Sequence, residues 1–173
     1  IDKLLAYSLL AKVTLTREPV DLKNLLEDVF REVQVGHPKR KMVMTYGGVS
    51  PILYVDRLLF RQGLSNILSN AVKFSQHREE TLIEVQCEDL GEGYRFTLSD
   101  NGVGFEEKYA GKLFGILQRL HHSKEFPGSG VGLATVRKIV EKHGGKVWIT
   151  GVLHAGATVT IELPKSLREE VKE

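Results

Sequence analysis

Two glycine-rich stretches, DNGVGF at residues 100–105 and GSGVGL at residues 128–133, decide how this 173-residue sequence is interpreted. Together they hold five of its 17 glycines. Glycine has no Cβ, so it lets the backbone approach a ligand closely and adopt a positive φ. The segment between the two stretches shows little helical or strand periodicity. We therefore predict a phosphate-bearing ligand that both stretches bind and that a lid between them covers.

Length and composition indicate one soluble globular domain. The sequence is 42% hydrophobic and 27% charged, and its net charge of +2 gives no reason to expect nucleic-acid binding. No apolar run approaches the ~20 residues of a membrane span, and no signal-peptide pattern is present. We expect a cytoplasmic segment without membrane contact and, because it begins at Ile1 without methionine, a fragment of a longer protein. The lone Cys87 excludes an internal disulfide and a cysteine metal site.

Four stretches of the chain are predicted to differ in role. Residues 1–13 form the end of an amphipathic helix that belongs to a neighbouring domain. The apolar stripe of that helix comprises Leu4, Leu5, Ser8, Leu9 and Val13. Residues 14–20 lack helical periodicity, contain Pro19 and are expected to be a linker. The main domain covers residues 21–164, and residues 165–173 form a charged, solvated tail.

Helices and strand pairs alternate along the main domain. The predicted elements are a helix that Asp21 caps, strands 41–46 and 52–55, a helix over 56–75, strands 81–88 and 94–100, a short helix near 112–120, a helix over 130–143, and strands 146–150 and 158–163. This order predicts an α/β (α+β) two-layer sandwich. Its sheet is expected to be mixed, mostly antiparallel and about five-stranded, with three main helices on one face.

The helix over residues 56–75 carries an unusual polar stripe. Gln62, Asn66, Asn70 and Lys73 lie together, opposite the apolar face. A solvated stripe is normally built from Glu, Lys and Arg, because Asn is a poor helix former. Two Asn residues one turn apart therefore have either a functional or a structural reason, and both interpretations stay open.

Asp100 ends the strand over residues 94–100 on the same inward face as Phe96 and Leu98. A carboxylate that points inward must accept hydrogen bonds. Its partner is either the backbone of an Asx-type turn or the amino group of a ligand.

Known phosphate-binding patterns leave one interpretation of the second stretch. No Gly-Lys-Ser/Thr sequence ends it, so it is not a P-loop, and Leu133 stands where a dinucleotide-binding fingerprint needs its last glycine. Protein-kinase signatures are also missing. A glycine stretch that opens directly into a helix remains, and the amides and dipole of a helix N-terminus favour phosphate there.

These features fit a Mg-nucleotide. Asp100 can accept from an exocyclic amino group such as that of adenine. A flat base can lie against Gly102 and Gly104, while Gly130 and Gly132 receive phosphates. The amide oxygens of Asn66 and Asn70 suit Mg²⁺, and Lys73 can contact phosphate charge.

The motifs resemble the ATP-binding catalytic domain of bacterial two-component sensor histidine kinases, in the superfamily of gyrase, Hsp90 chaperones and MutL. NILSNAVKF at 66–74 resembles its Asn box, DNGVG at 100–104 its first glycine box, GSGVGL at 128–133 its second, with KHGG at 142–145 as the usual continuation, and GAT…LP at 156–164 its terminal strand. KLFGILQRLH at 112–121 resembles its Phe box, in the version of phytochrome-type kinases. The resemblance covers about residues 20–164 and implies a Bergerat-type ATP-binding fold.

The resemblance also implies roles for individual residues. Asp100 would bind the adenine amino group, Asn70 would hold Mg²⁺, and Asn66 would lie nearby. Lys73 and Arg119 would contact phosphates, and Phe114 would anchor the lid. The remaining nucleotide-binding residues would be Gly102, Gly104, Gly128, Ser129, Gly130, Val131, Gly132 and Leu133.

The implied activity is transfer of the γ-phosphoryl group of ATP to a histidine, with Mg²⁺ as cofactor. In the family the acceptor histidine lies on an upstream helical hairpin and precedes an acidic residue, whereas the six histidines here precede Pro, Arg, His, Ser, Gly and Ala. We therefore expect a catalytic fragment that does not phosphorylate itself. The implied partners are that hairpin and the receiver domain of a response regulator, and the parent protein is expected to be a homodimer.

Two positions depart from related patterns. Gln62 stands where gyrase-like ATPases have a general-base Glu, which favours transfer over hydrolysis, and Leu117 replaces the second aromatic residue of the Phe box. The alternatives are a hydrolysing ATPase or chaperone module, an anti-sigma serine kinase, or a degenerate domain that binds a partner protein.

Overall fold

A five-stranded mixed sheet with helices on one face forms the main part of the fold. The computed structural model describes residues 2–112 and 132–165. The helices are α1 Asp2–Leu10, α2 Leu22–Gly36, α3 Arg57–Phe74 and α4 Gly132–Lys142, with a short 3-10 helix over Glu107–Lys112. The strands are β1 Arg17–Asp21, β2 Met42–Gly48, β3 Ile52–Asp56, β4 Thr81–Asp89, β5 Gly93–Asp100, β6 Lys146–Val152 and β7 Gly156–Pro164.

The main sheet has the strand order β2-β4-β5-β7-β6. Strands β2 and β4 are parallel, and the other neighbours are antiparallel. Inward side chains such as Ile83, Val85 and Cys87 are buried, and the residues between them are exposed. This alternation is that of a sheet with one face against the core. The predicted two-layer sandwich with a mostly antiparallel sheet is confirmed.

A second, two-stranded sheet corrects the predicted linker. Arg17–Asp21 form β1 and pair antiparallel with β3, so residues 17–20 are strand. Val20 is fully buried, which gives this short strand an apolar anchor. Pro19 pairs with Tyr54, and a proline is tolerated at such a sheet edge because its missing N–H need not serve a ladder.

Aspartates cap the two long helices of the core. The Asp21 carboxylate accepts from the amide of Asn24 at 3.0 Å and begins α2. The Asp56 carboxylate accepts from the amide of Leu59 at 3.1 Å and begins α3. Such caps satisfy amides that have no partner inside the helix. The apolar face that periodicity predicts for α3 is buried against the core, and it comprises Leu64, Ile67, Leu68, Ala71 and Val72. Phe60, one turn earlier, is buried beside it.

Helix α1 is present, but the described apolar members of its predicted stripe do not face the core. Leu5, Leu9 and Val13 are exposed by 57%, 52% and 40%. Among residues 5–10, whose side chains the structure describes, Leu10 is buried, and it lies outside the predicted stripe. No helix in the described ranges is long and apolar enough to cross a membrane.

The end of α4 is held by a buried histidine. His143 is 1% exposed, and its Nδ1 lies 2.7 Å from the carbonyl of Ile139. The amide of Asp56 donates to its Nε2 at 3.0 Å. These two contacts require the neutral ring with the proton on Nδ1. Burial lowers the pKa of His143, which keeps the ring neutral.

Gly144 follows with φ 76° and terminates the helix. The charged tail is described only at Lys165, which pairs with Asp89 at 2.6 Å. Residues 166–173 lie outside the described part.

Candidate functional site

Asp100 lies at the end of the central strand β5, partly buried, where the predicted site begins. Its Oδ1 accepts from the amide of Gly102 at 2.8 Å and from the amide of Ala157 at 3.2 Å. The contact with Gly102 is that of an Asx-type turn, so this interpretation holds for Oδ1. Within residues 2–112 and 132–165, no group donates to Oδ2. One oxygen is therefore used by the fold, and the second can serve a ligand.

Burial raises the pKa of Asp100 to about 6. The amides of Gly102 and Ala157 oppose this rise, because they stabilise the ionised form. At neutral pH the group is therefore mainly a carboxylate and accepts hydrogen bonds. Below about pH 6 it becomes a carboxylic acid with an O–H donor.

The first glycine box fits closely against the backbone around it. A Cβ at Gly102 would lie 2.8 Å from the carbonyl oxygen of Phe74. Gly104 has φ 64°, and its Cβ would lie 2.7 Å from the carbonyl oxygen of Gly156. Both positions exclude a side chain because of protein backbone. Contact of these glycines with a base stays a prediction.

Helix α3 connects the first glycine box with the start of α4. Near its middle, the Asn66 side chain donates from Nδ2 to the carbonyl of Gly132 at 3.2 Å. At its end, the carbonyl of Phe74 accepts from the amide of Val103 at 3.0 Å. The polar stripe of the helix therefore runs between the two predicted parts of the site.

Asn66 thus has a structural contact, which supports the structural interpretation for that residue. Asn70, one turn later, and Lys73 are partly buried on the same face. The Nζ of Lys73 lies 5.5 Å from the centroid of the Phe74 ring. Gln62, at the other end of the stripe, is exposed.

Part of the predicted site falls outside the described residues. Leu133 is partly buried against the core, and Gly132 begins α4. The predicted residues that lie outside are Phe114, Arg119, Gly128, Ser129, Gly130 and Val131.

The structure adds three polar residues that sequence analysis did not select. The guanidinium of Arg78 donates to the carbonyl of Asn101 at 3.0 Å and to the carbonyl of His154. The Asn101 side chain accepts from the amide of Leu82 and donates to the carbonyl of Glu80, both at 3.0 Å. Asn101 lies inside the first glycine box, so its position in that motif could have indicated its importance.

Arg40 is the third of these residues. Its guanidinium donates to Thr81 Oγ1 at 3.0 Å, to the carbonyl of Arg78 at 2.8 Å and to the carbonyl of Ser75 at 2.6 Å. Arg40 and Arg78 bind mostly backbone carbonyls, which have no sequence signature.

The sequence model of the family described as histidine kinase-, DNA gyrase B-, and HSP90-like ATPase matches residues 55–167. Cyanobacterial phytochrome A of Nostoc sp. is 29% identical over 173 residues, which cover 98% of this chain and 22% of that protein. The methanogenesis regulatory histidine kinase FilI of Methanothrix harundinacea is 40% identical over 114 residues, 66% of this chain and 13% of that protein. The chain thus spans no more than 22% of the length of either relative.

Solved structures give the same assignment of the fold. Full-length ShkA in complex with AMPPNP superposes with a TM-score of 0.79 at 25% identity, over 94% of this chain and 34% of that one. The mycobacterial sensor histidine kinase MprB superposes with a TM-score of 0.73 at 24% identity, over 86% and 97%. The family match covers well over half of the chain and includes α3, the first glycine box and α4. The chain therefore belongs to the family of histidine kinase-, DNA gyrase B- and HSP90-like ATPases, and its relatives include phytochromes and histidine kinases.

Proposed function

We propose that this chain is the ATP-binding catalytic domain of a sensor histidine kinase. It binds Mg-ATP and donates the γ-phosphoryl group to a histidine on a helical hairpin outside this sequence. The observation that carries the proposal is the position of α3, which contacts Val103 of the first glycine box and Gly132 at the start of α4. Asn70 and Lys73 lie on the face between these contacts.

Asp100 would select adenine. Its Oδ2 accepts from no described residue, and it is an acceptor at neutral pH. The exocyclic amino group of adenine donates to such an oxygen, whereas guanine has a carbonyl oxygen at the corresponding ring position. Two facing acceptors repel each other, so the site favours ATP over GTP.

The phosphates would lie between α3 and the N-terminus of α4. The positive end of the α4 dipole and the Lys73 ammonium favour their negative charge. Asn70 supplies one amide oxygen, which fits Mg²⁺ because this ion uses few protein ligands beside phosphate and water. When bound, Mg²⁺ neutralises phosphate charge during transfer. Arg119 and Phe114 are proposed to complete the phosphate contacts and the lid.

Gln62 supports transfer rather than hydrolysis. This exposed side chain is an amide and cannot take a proton from water. Among the described histidines, His143 is buried with both ring nitrogens in use, so it does not serve as acceptor. The proposed acceptor is a separate hairpin, and the receiver domain of a response regulator is proposed to take the phosphoryl group next.

A calorimetric titration tests the proposal. The chain is titrated with ATP and with GTP, each with and without Mg²⁺. We expect the chain to bind ATP, and to bind it more tightly in the presence of Mg²⁺. Its affinity for GTP should be lower than its affinity for ATP. A phosphoacceptor hairpin from a histidine kinase of this family is then added in trans with labelled ATP. Transfer of label to the hairpin histidine supports the kinase.

Other outcomes favour the alternatives. Steady release of inorganic phosphate without a hairpin would indicate a hydrolysing ATPase. Label on a serine of a partner protein would indicate a serine kinase. Absence of all nucleotide binding would contradict the proposal and favour a partner-binding domain.

A further inference from the structure

One guanidinium connects the two backbone segments that hold Asp100. Arg78 donates from Nε to the carbonyl of Asn101 at 3.0 Å and from Nη2 to the carbonyl of His154. The next residue after Asn101 is Gly102, whose amide donates to Asp100 Oδ1 at 2.8 Å. Three residues after His154 is Ala157, whose amide donates to the same oxygen at 3.2 Å. Arg78 therefore binds both backbone segments whose amides donate to Asp100 Oδ1.

The connection lies where the pairing between β5 and β7 ends. The β5–β7 ladder runs up to the pair Ser99 and Thr158, and Asp100 lies one residue beyond it. From there the segments are held by irregular contacts, such as the amide of His154 donating to the carbonyl of Val103 at 2.6 Å. His154 itself has φ 68°, an unfavourable conformation for a residue with a side chain. Asp100 still pairs with Ile83 and Ala157 with Gly151, but β5 and β7 no longer pair with each other here, so Arg78 supplies a contact between the two segments that the ladder does not.

Arg40 holds the backbone segment that carries Arg78. Arg40 donates to the carbonyl of Arg78 at 2.8 Å and to the carbonyl of Ser75 at 2.6 Å. The Nε of Arg40 also donates to Thr81 Oγ1 at 3.0 Å. Since α3 ends at Phe74 and β4 begins at Thr81, Arg40 secures the whole connection on which Arg78 lies.

We propose that Arg78 is a positioning residue for nucleotide selection, and that it acts through Asp100. The planar guanidinium of Arg78 holds the carbonyls of Asn101 and His154 in a fixed relative position. This fixes the two segments whose amides donate to Asp100 Oδ1. The carboxylate is thereby oriented with Oδ2 towards the base. The inference rests on the proposed function, because it assumes that Asp100 contacts adenine.

Amide hydrogen exchange of the free protein tests the connection without any nucleotide. In Arg78→Ala we expect protection of the Gly102 and Ala157 amides to fall about tenfold, as for one lost hydrogen bond of a charged group. Amides in the centre of β4 and β5 should keep their protection. A uniform fall at all amides would show general destabilisation and would overturn a positioning role.

Arg95 provides a matched control on the same strand as Asp100. It also makes two side-chain contacts, to Glu88 and Glu162, each at 3.1 Å, but it lies towards the opposite end of β5. Arg95→Ala should leave the exchange of Gly102 and Ala157 unchanged. Selective loss at these amides in this variant would contradict the inference.

Calorimetry with Mg-ATP and Mg-GTP measures the consequence for binding. Arg78→Ala, confirmed as folded by circular dichroism, should bind ATP about tenfold more weakly and lose part of its preference over GTP. Arg78→Lys keeps the charge but not the fork, so it should restore only part of this loss. If Arg78→Ala is unfolded, Arg78→Lys alone is compared with the wild type. Weaker ATP binding by Arg78→Lys would then support the inference, and unchanged ATP binding would overturn it.

The two hypotheses fail in different ways. Wild-type protein that binds no nucleotide would contradict the proposed function and with it the selective role of Arg78. Wild-type protein that binds ATP while Arg78→Ala binds it equally, with the same preference over GTP, would overturn this inference alone. Full restoration by Arg78→Lys would show that charge, and not the two-carbonyl bridge, is what matters.

Discussion

The two ends of α3 both lie beside a partly or fully buried titratable group, but the described residues satisfy completely only the group at the N-terminal end. At the N-terminal end, both ring nitrogens of His143 have partners, and both carboxylate oxygens of Asp56 accept backbone amides. At the C-terminal end, where Phe74 contacts the first glycine box, Asp100 has described partners only on Oδ1. A satisfied buried network stabilises a fold, whereas an acceptor oxygen on a partly buried group that the described residues leave unused is open to a ligand. The first end therefore serves stability, and the second is the end that we propose serves binding.

The largest expected effect is that of His143→Ala on stability. The change leaves a cavity beside Phe60, whose ring centroid lies 5.9 Å from that of His143, and it leaves the Asp56 amide without its acceptor. We expect the free energy of unfolding to fall by about 3 kcal/mol. Urea denaturation measures the loss, and ATP affinity of the folded variant should stay within about twofold of the wild type, since this end is not part of the proposed site. A large loss of ATP affinity in a fully folded His143→Ala variant would contradict the difference inferred between the two ends of α3.

Asp100→Asn should have the opposite pattern. The amide presents an N–H group or a weaker acceptor to adenine, so ATP affinity should fall by about 2 kcal/mol, roughly thirtyfold. Stability at pH 7 should not fall, because burial already opposes ionisation of this carboxylate. Calorimetry and thermal unfolding of the same sample give both values. Unchanged ATP affinity would remove Asp100 from the site.

The pH dependence of ATP binding sharpens the role of Asp100. Since its pKa is raised to about 6, the carboxylate acceptor is mostly present at pH 7 and mostly protonated at pH 5. ATP affinity should therefore fall about tenfold between these values through this group. Titrations at several pH values measure the slope, and Asp100→Asn serves as reference for protonation of ATP itself. An equal slope in both proteins would show that Asp100 does not contribute.

The smallest effect is the pH dependence of stability through His143. Its pKa is lowered in the folded state by burial, so the unfolded chain takes up the proton first as the pH falls through about 6.5. This group's contribution to stability is complete above that value and is lost below it, by at most about 1.4 kcal/mol per pH unit. Urea denaturation at pH 7.5 and 5.5 should show the fall, and it should be smaller in His143→Gln, which cannot titrate.

The sequence predicts the elements of the fold well because their hydrophobic periodicity is strong. The helix predicted over 56–75 is Arg57–Phe74, and the strand predicted over 81–88 is Thr81–Asp89. Strand β1 was not predicted, because it has five residues and contains Pro19. Its pairing with β3 depends on a contact between distant parts of the chain, which local periodicity does not report.

The candidate site also contains residues that can be predicted from the sequence and residues that cannot. Asp100 and the stripe on α3 are predictable, because an inward carboxylate and two mid-helix asparagines are unusual in their local setting. Arg40 and Arg78 are not, since a surface arginine and one that binds backbone carbonyls look alike in sequence. The position of His143 within a glycine-flanked helix end gave no indication of its hydrogen bond to Asp56.

The pairing of β5 with β7 has a consequence for how the domain is made. Gly93 pairs with Pro164, so the central strand of the sheet finds this neighbour only after α4 and β6 have been synthesised. Such distant pairing slows folding, and a nascent chain that ends before β7 keeps one edge of β5 unpaired. The cost of closing the connection grows slowly with its length, about 0.6 kcal/mol for each doubling. The chain between the two glycine boxes can therefore change in length during evolution with little loss of stability, while the sheet that supports Asp100 stays the same.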